Sequence, residues 1–462
     1  MRMLGQVINW VMTIVVIRYV RPEDYGLKSM ADVAIGLIAV FSTSGMEAAI
    51  IQVKDLTSEK IASIFGFLLL INGLLFSVLV IGAYPLSTYY GDARIVDLVH
   101  VMALGFLLVP FNAIPSAITG RNMEYRLLST VSLVTNIVGA MTTLALAVCG
   151  FGVWALATGP LVSALLNAIM LNFRVRALVW PRFAITEIRE MAVFGGTIVL
   201  TSILWIVFSR ADVFIGGRLL TPAEVGLYAV ALQWAALPID KLIPMVNQVA
   251  FPAYSRLRDD KEAVRRHFLL SVRVASILMF PVAFGIAAIA HPLIPLVIGD
   301  AWAPVATLLM MQCLLTPFRA ISMLFAPMTN AMGKPQIQLK LTALGTATMV
   351  PGYIVGAHYG PTGLILVWLI VYPWVMLANV FSSVRLIDLS AGAVGRAISR
   401  PLLYSTVMLI VLLGLQKTSL AHQHPATQLA VLIPIGGLIY VSGMYLADKQ
   451  RLWEALRLLR RR

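Results

Sequence analysis

Arg18-x-x-x-Pro22-x-Asp24-x-Gly26-Leu27 returns further along the chain as Arg218-x-x-x-Pro222-x-Glu224-x-Gly226-Leu227. Three more anchors recur in the same order: Gly91-Asp92-Ala93 with Gly299-Asp300-Ala301, Pro110-Phe111-Asn112-Ala113-Ile114 with Pro317-Phe318-Arg319-Ala320-Ile321, and Gly120-Arg121 with Gly333-Lys334. Four anchors in one order indicate an internal duplication, which governs every later assignment. In a membrane chain, two related halves are typical of a transporter whose pathway lies between them.

The composition identifies the environment of the chain. Of 462 residues, 60% are hydrophobic and 12% are charged, and the mean hydropathy is +0.88, whereas average domains carry about 25% charged residues. We therefore predict a polytopic membrane protein. The first apolar run, residues 4–17, has no cleavage site of small residues, which favours a first membrane helix over a removed signal peptide. Cys149 and Cys313 both lie in apolar stretches, so we expect buried free thiols and neither a disulfide nor a metal cluster.

Fourteen apolar windows are long enough to be membrane spans, although the first and the thirteenth are short against the usual ~17–25 residues. They lie at 3–17, 29–51, 61–83, 95–118, 127–149, 153–173, 191–209, 225–249, 267–290, 303–330, 341–357, 361–384, 401–415 and 427–447. We predict that all are helices, because an open strand leaves backbone groups without partners in lipid.

The basic residues are distributed unequally between the two sides of the membrane. Of the 35 lysines and arginines, 25 lie at the N-terminus, in the loops after even-numbered spans or in the C-terminal tail, and three lie inside spans. The loops after odd-numbered spans hold only seven: Arg18, Arg21, Lys28, Arg94, Arg210, Arg218 and Lys417. By the positive-inside rule, we predict that both termini are cytoplasmic. The formal charge of +14 is then explained by topology and by attraction to anionic lipid headgroups, so no nucleic-acid partner is expected.

The anchors align spans 1–6 with spans 7–12. Because each half has six spans, an even number, both halves begin on the same side of the membrane. They should therefore be related by a pseudo-two-fold axis along the membrane normal. The predicted fold class is all-α: two six-helix lobes plus two C-terminal helices. The predicted domains are an N-terminal lobe at 1–180, a C-terminal lobe at 181–386, and spans 13 and 14 with a basic tail at 387–462.

The loops give little room for catalysis. Every outward loop is short, and residues 150–152 form a link of a few residues. On the inner side, residues 251–267 and 182–190 each read as an amphipathic helix at the headgroup level. No Walker A loop, Ser-His-Asp arrangement or zinc spacing occurs, and His422 and His424 in a loop are weak support for a metal site. We therefore expect no enzyme activity, cofactor or metal.

Ionisable residues inside spans are the candidate site, because each costs at least about 2.5–3.5 kcal/mol at the bilayer centre. Arg319 lies near the middle of span 10, and its repeat-mate is Asn112. A cavity with this asymmetry can hold one anionic headgroup, since a guanidinium donates two parallel hydrogen bonds to a phosphate. The other interpretation of Arg319 is a structural pair with a carbonyl or a carboxylate.

Two further pairs complete the candidates. Asp240 and Lys241 lie in span 8 between Pro238 and Pro244, and the two prolines predict a broken helix, a common way to build a membrane binding site. Near the outer end of span 7, the candidates are Arg210 and Asp212, which can also snorkel or pair with each other.

Several blocks of the chain, in order over nearly its whole length, resemble bacterial polysaccharide transporters of the lipid-linked oligosaccharide flippase (Wzx) type. They are Arg18-Tyr-Val-Arg-Pro-Glu-Asp-Tyr-Gly26, Gln52-Val-Lys-Asp-Leu-Thr57, Gly150-Phe-Gly-Val-Trp-Ala-Leu156, Asp212-Val-Phe-Ile-Gly-Gly217, Val225-Gly-Leu-Tyr228 and Phe251-Pro-Ala-Tyr-Ser-Arg256. The chain differs from the family pattern at its start, where members usually have further residues before and within the first helix. These are loop and packing signatures, so they specify the family strongly and the substrate poorly.

The resemblance implies a multidrug/oligosaccharidyl-lipid/polysaccharide exporter fold. Such a protein moves an undecaprenyl-pyrophosphate-linked sugar unit from the inner to the outer leaflet by alternating access, for exopolysaccharide or lipopolysaccharide synthesis. Its partners would be the lipid-linked oligosaccharide, membrane lipids, and a polymerase with export machinery. Two alternatives stay open: an ion-coupled multidrug antiporter of the same fold, whose cavity should be net acidic, and a membrane polymerase or ligase, which needs a long outer loop.

Overall fold

The computed structural model describes residues 2–43, 50, 56–176, 179–183 and 189–460. Within these residues the chain forms sixteen α-helices. They are α1 Arg2–Tyr19, α2 Pro22–Thr43, α3 Ser58–Tyr90, α4 Arg94–Arg121, α5 Tyr125–Val148, α6 Val153–Val175, α7 Arg189–Leu219, α8 Pro222–Arg256, α9 Lys261–Ile298, α10 Val305–Ser322, α11 Phe325–Ala331, α12 Gln336–Ala357, α13 Gly360–Ile370, α14 Tyr372–Val384, α15 Ala391–Leu415 and α16 Pro425–Arg460.

Each of the fourteen predicted windows overlaps one helix or two consecutive helices, and residues 44–49 and 51 of the second window lie outside the described residues. Among the described residues, eleven segments are long and apolar enough to cross a membrane. The helices at 2–19, 189–219 and 336–357 are not among those eleven. Large apolar side chains such as Ile81, Ile410 and Leu438 are exposed along the helices, as expected where the solvent is lipid rather than water. The predicted all-helical membrane fold is confirmed.

Short polar caps and glycines set the helix boundaries. The Thr57 side chain accepts a hydrogen bond from the Lys60 N–H at the start of α3, and Asp260 does the same for the Ala263 N–H at α9. The repeat-related glycines Gly91 and Gly299 follow the ends of α3 and α9 with φ of 74° and 98°. Both glycines have a positive φ that side chains disfavour, but their ψ values of 23° and 165° differ, so the repeat keeps the glycine at the helix end without repeating the same turn.

The chain divides into two compact units, residues 1–226 and 227–462. In the first unit α5 packs on α6, α3 on α4, and α2 on α7. In the second unit α9 is central, and it packs against α10, α15 and α16. The predicted lobes at 1–180, 181–386 and 387–462 stay a prediction.

The first repeat anchor forms a reciprocal contact inside the first unit. A methyl group added to Gly26 would overlap the carbonyl oxygen of Pro222, and one added to Gly226 would overlap the carbonyl oxygen of Pro22. The first turns of α2 and α8 therefore touch through equivalent atoms, and only glycine allows this approach. A second residue of the anchor, Arg218, donates a hydrogen bond to the Tyr89 carbonyl at 2.8 Å.

Three sequence predictions are wrong. The helix α8 runs unbroken through Pro238 and Pro244, because proline in a membrane helix removes one hydrogen bond without forcing the helix to end. Residues 251–267 are not one amphipathic helix: they hold the end of α8, a turn, and the start of α9 at Lys261. Cys149 is exposed just after α5, whereas Cys313 is buried as expected. The other predicted amphipathic segment, 182–190, lies mostly outside the described residues.

Candidate functional site

Arg319 lies on α10, half-buried, with its guanidinium carbon 4.4 Å from the centre of the Trp368 ring on α13. Among the described residues it forms neither a hydrogen bond nor an ion pair, which removes the carboxylate pairing considered from the sequence. A guanidinium stacked on an aromatic ring keeps its edge free, and the edge carries the N–H donors. The Trp368 ring therefore holds the face of the Arg319 guanidinium, and the N–H groups along its edge can donate hydrogen bonds to a ligand.

Aromatic packing fixes the position of Trp368. Its ring lies 5.4 Å from Tyr372 and 6.2 Å from Tyr353, and its indole N–H donates to the Tyr228 hydroxyl at 3.3 Å. All four side chains are buried. Sequence reasoning missed this support, since the aromatic residues come from α8, α12, α13 and α14. Their joint burial was not visible along the chain.

Asp240 approaches Arg319 from α8, and Lys241 is its neighbour in the sequence. Asp240 is exposed and Lys241 is half-buried, and Asp240 is close enough to both Lys241 and Arg319 to interact with them electrostatically. No ion pair within 4 Å joins Asp240 to Arg319, and the structure describes both residues. The three predicted residues of the second unit thus form one group with a net charge of one positive unit.

The other charged candidates lie in α7 of the first unit. Arg210 is exposed, whereas Asp212 is only 1% exposed, and the Asp212 Oδ1 accepts a hydrogen bond from the Val213 N–H at 2.7 Å. No ion pair joins these two described residues. Their part in substrate binding stays a prediction.

Asn112 lines a cavity of about 590 Å³ in the first unit. Its Nδ2 donates to the carbonyl oxygens of Leu108 at 3.0 Å and Ala164 at 3.1 Å. Because both acceptors are carbonyls, the amide orientation is fixed. The Oδ1 is left buried without a described partner, and an unsatisfied buried acceptor costs about 1–3 kcal/mol.

The same cavity is lined by polar residues that sequence reasoning missed. Asn136 lies on α5, and Ser163 and Asn167 lie on α6. The signal was present, since Gly159, Ser163 and Asn167 follow one another at a spacing of four residues, which places them on one helix face. Among the described residues, no group of three or more His, Cys, Asp or Glu side chains could hold a metal ion.

The described helices define a multi-pass membrane protein. The fold is similar to a solved structure described as the lipid II flippase MurJ in an inward closed conformation, with a TM-score of 0.78, 15% identity and 98% of each chain covered. At that identity the likeness concerns the fold.

Residues 15–307 match the family described as polysaccharide biosynthesis protein, and the chain belongs to that family. The succinoglycan biosynthesis transport protein ExoT of Rhizobium meliloti (strain 1021) is 26% identical over 453 residues, which are 96% of this chain and 90% of that one. The lipopolysaccharide biosynthesis protein WzxC of Escherichia coli (strain K12) is 23% identical over 368 residues, 77% of this chain and 73% of that one. The predicted family is confirmed, and the protein is a transporter rather than an enzyme.

Proposed function

We propose that this protein moves a polyprenyl-pyrophosphate-linked oligosaccharide from the inner to the outer leaflet of the bacterial inner membrane. The observation that carries the proposal is Arg319, a membrane-embedded guanidinium that lies over the Trp368 ring and forms no ion pair within 4 Å with a carboxylate of the described residues. An intramembrane charge whose N–H donors have no hydrogen-bond partner points to a functional ligand. A pyrophosphate supplies the concentrated negative charge that such a group lacks.

The chemistry of the group fits a phosphate better than a cation. Arg319 and Lys241 bring two positive charges, and Asp240 offsets one of them. The edge of the guanidinium offers parallel N–H donors, which match two phosphate oxygens. A hydrogen bond to a charged group contributes about 1.5–3 kcal/mol, so one such bond accounts for roughly a tenfold or greater change in affinity.

The wider proposal follows from charge and homology. Both termini lie in the cytoplasm, because the basic residues concentrate in the loops on that side. Alternating access would involve two lobes, residues 1–180 and 181–386, with 387–462 outside the repeat. The named relatives act in succinoglycan and lipopolysaccharide biosynthesis, which supports an oligosaccharide cargo for this chain and delivery to a polymerase and export machinery.

Binding of undecaprenyl pyrophosphate to the full chain in lipid nanodiscs tests the role of Arg319. We expect Arg319→Ala to weaken binding tenfold or more. Arg319→Lys should weaken it less, because lysine keeps the positive charge but lacks the two parallel N–H donors of the guanidinium. The matched control is Arg396→Ala, an exposed arginine on α15, which should bind as the wild type does. Wild-type affinity in Arg319→Ala would remove Arg319 from the site.

A further inference from the structure

The cavity lined by Asn112 is polar but uncharged. It is bounded by α1, α2, α4, α5 and α6, and its volume of about 590 Å³ lies within the range of small-molecule sites. Among its lining residues, all in the described part of the chain, none is Asp, Glu, Lys, Arg or His. A pyrophosphate or an organic cation would therefore find no counter-charge in the cavity.

The polar groups of the cavity offer both donors and acceptors. The Asn112 Oδ1 is buried without a described partner. The Asn136 Oδ1 accepts a hydrogen bond from the Ser163 hydroxyl at 3.3 Å, and the Asn136 Nδ2 has no described partner. The Asn167 Nδ2 lies 3.5 Å from the Thr135 hydroxyl, a long hydrogen bond. Each amide thus has hydrogen-bonding capacity left over.

Close packing of α5 and α6 positions these amides. A methyl group at Gly139 would lie 2.8 Å from both the Gly159 carbonyl oxygen and the Ser163 Cβ. Small residues that let two membrane helices approach so closely also bring the neighbouring side chains together. Asn136 stands one turn before Gly139, and Asn167 stands two turns after Gly159. The amides of both helices therefore line one cavity.

Most of the remaining wall is apolar, although Thr13 and Thr143 add hydroxyl groups. Val16, Tyr25, Leu156 and Pro160 line the cavity, and Tyr25 and Leu156 are buried. A neutral saccharide matches this combination, because its hydroxyl groups both donate and accept hydrogen bonds and its C–H faces pack on apolar and aromatic surfaces.

From this match we infer that the cavity binds the neutral saccharide portion of the transported lipid. The inference rests on the proposed function and separates two tasks. One task, proposed above for Arg319, is binding of the pyrophosphate, and the other is recognition of the sugar by Asn112, Asn136 and Asn167 in the cavity.

Two probe lipids separate these tasks: undecaprenyl pyrophosphate, and undecaprenyl pyrophosphate carrying a neutral hexose oligosaccharide. Both are titrated against the full chain in nanodiscs. The wild type should bind the sugar-bearing lipid more tightly. Asn136→Leu and Asn167→Leu keep the side-chain volume. Each should lower the affinity for the sugar-bearing lipid roughly three- to tenfold, which is the loss expected for one neutral hydrogen bond. Neither should change binding of the sugar-free lipid, which also reports that the variant is folded.

The controls and outcomes decide between the two proposals. Asn122→Leu, at an exposed asparagine in the turn between α4 and α5, should match the wild type with both lipids. Equal wild-type affinity for the two lipids, unchanged affinity in both cavity variants, or an equal loss for both lipids would each overturn the saccharide assignment. If the wild type binds neither lipid, the proposed function fails instead. In that case, free neutral hexose oligosaccharides test the cavity, and the inference holds only if Asn136→Leu weakens their binding.

Discussion

Arg319 shows what one residue contributes and what the sequence could say about it. The repeat located Arg319 and its mate Asn112, because both follow the same Pro-Phe pair. Neither environment could be derived from the sequence: Trp368 reaches Arg319 from another helix, and the cavity beside Asn112 forms only when α5 and α6 pack closely. Spacing identifies the polar residue, and tertiary packing determines its partners.

Asp240 distinguishes a phosphate site from a cation site. It is exposed and interacts electrostatically with Lys241 and Arg319. In a phosphate site its negative charge opposes the ligand, so Asp240→Asn should bind undecaprenyl pyrophosphate roughly two- to fivefold more tightly at low salt, and the gain should shrink as salt is added. Titration in nanodiscs at two ionic strengths measures both effects.

The matched control for this change is Asp259→Asn. Asp259 is fully exposed, and its nearest cation is Arg258 at 3.9 Å, so its neutralisation should leave the affinity unchanged. A loss of pyrophosphate binding in Asp240→Asn, together with loss of organic-cation transport, would contradict the phosphate site and favour the antiporter.

At the scale of elements, the helix positions were predictable and their breaks were not. Each of the eleven described segments that can cross a membrane falls on a predicted apolar window, since membrane helices are recognised by their length and composition. The helix break predicted from the prolines is wrong, because α8 continues through Pro238 and Pro244. Instead, the tenth span changes helix at residues 323–324, and the twelfth at residue 371. A proline leaves one carbonyl without a donor, but only packing decides whether the helix bends, continues or ends there.

The contact between the first turns of α2 and α8 gives a stability prediction. Gly26→Ala and Gly226→Ala should each lower the unfolding temperature of the solubilised protein, because each methyl group overlaps a carbonyl oxygen, and such overpacking costs about 1–3 kcal/mol. Both methyl groups strain one contact, so the double variant should lose less than the sum of the single losses. Thermal unfolding of the three variants measures this.

Gly36→Ala is the control for these glycine substitutions. Gly36 lies in the same helix as Gly26, and nothing lies within 4 Å of a methyl group added there. That change should be neutral or slightly stabilising, since alanine favours a helix. Strictly additive losses in the double variant, or losses no larger than that of Gly36→Ala, would show that the reciprocal contact does not constrain the two helices.

At the scale of the whole molecule, the charge distribution predicts the orientation. The 25-to-7 split of basic residues between the two sides predicts that both termini lie in the cytoplasm. Reporter fusions ending at Arg189 should therefore report the cytoplasm, and fusions at Gln423 should report the periplasm. The reverse result at either point would mean that a span has been miscounted upstream of it.

Transport itself is the central claim, and leaflet exchange measures it most directly. The full chain is reconstituted into liposomes with a fluorescent undecaprenyl-pyrophosphate-linked oligosaccharide, and a membrane-impermeant quencher follows movement between leaflets. The account predicts exchange well above that of protein-free liposomes, its loss in Arg319→Ala, and normal rates in Arg396→Ala. Wild-type exchange no faster than in protein-free liposomes, with the protein folded and inserted, would contradict the account.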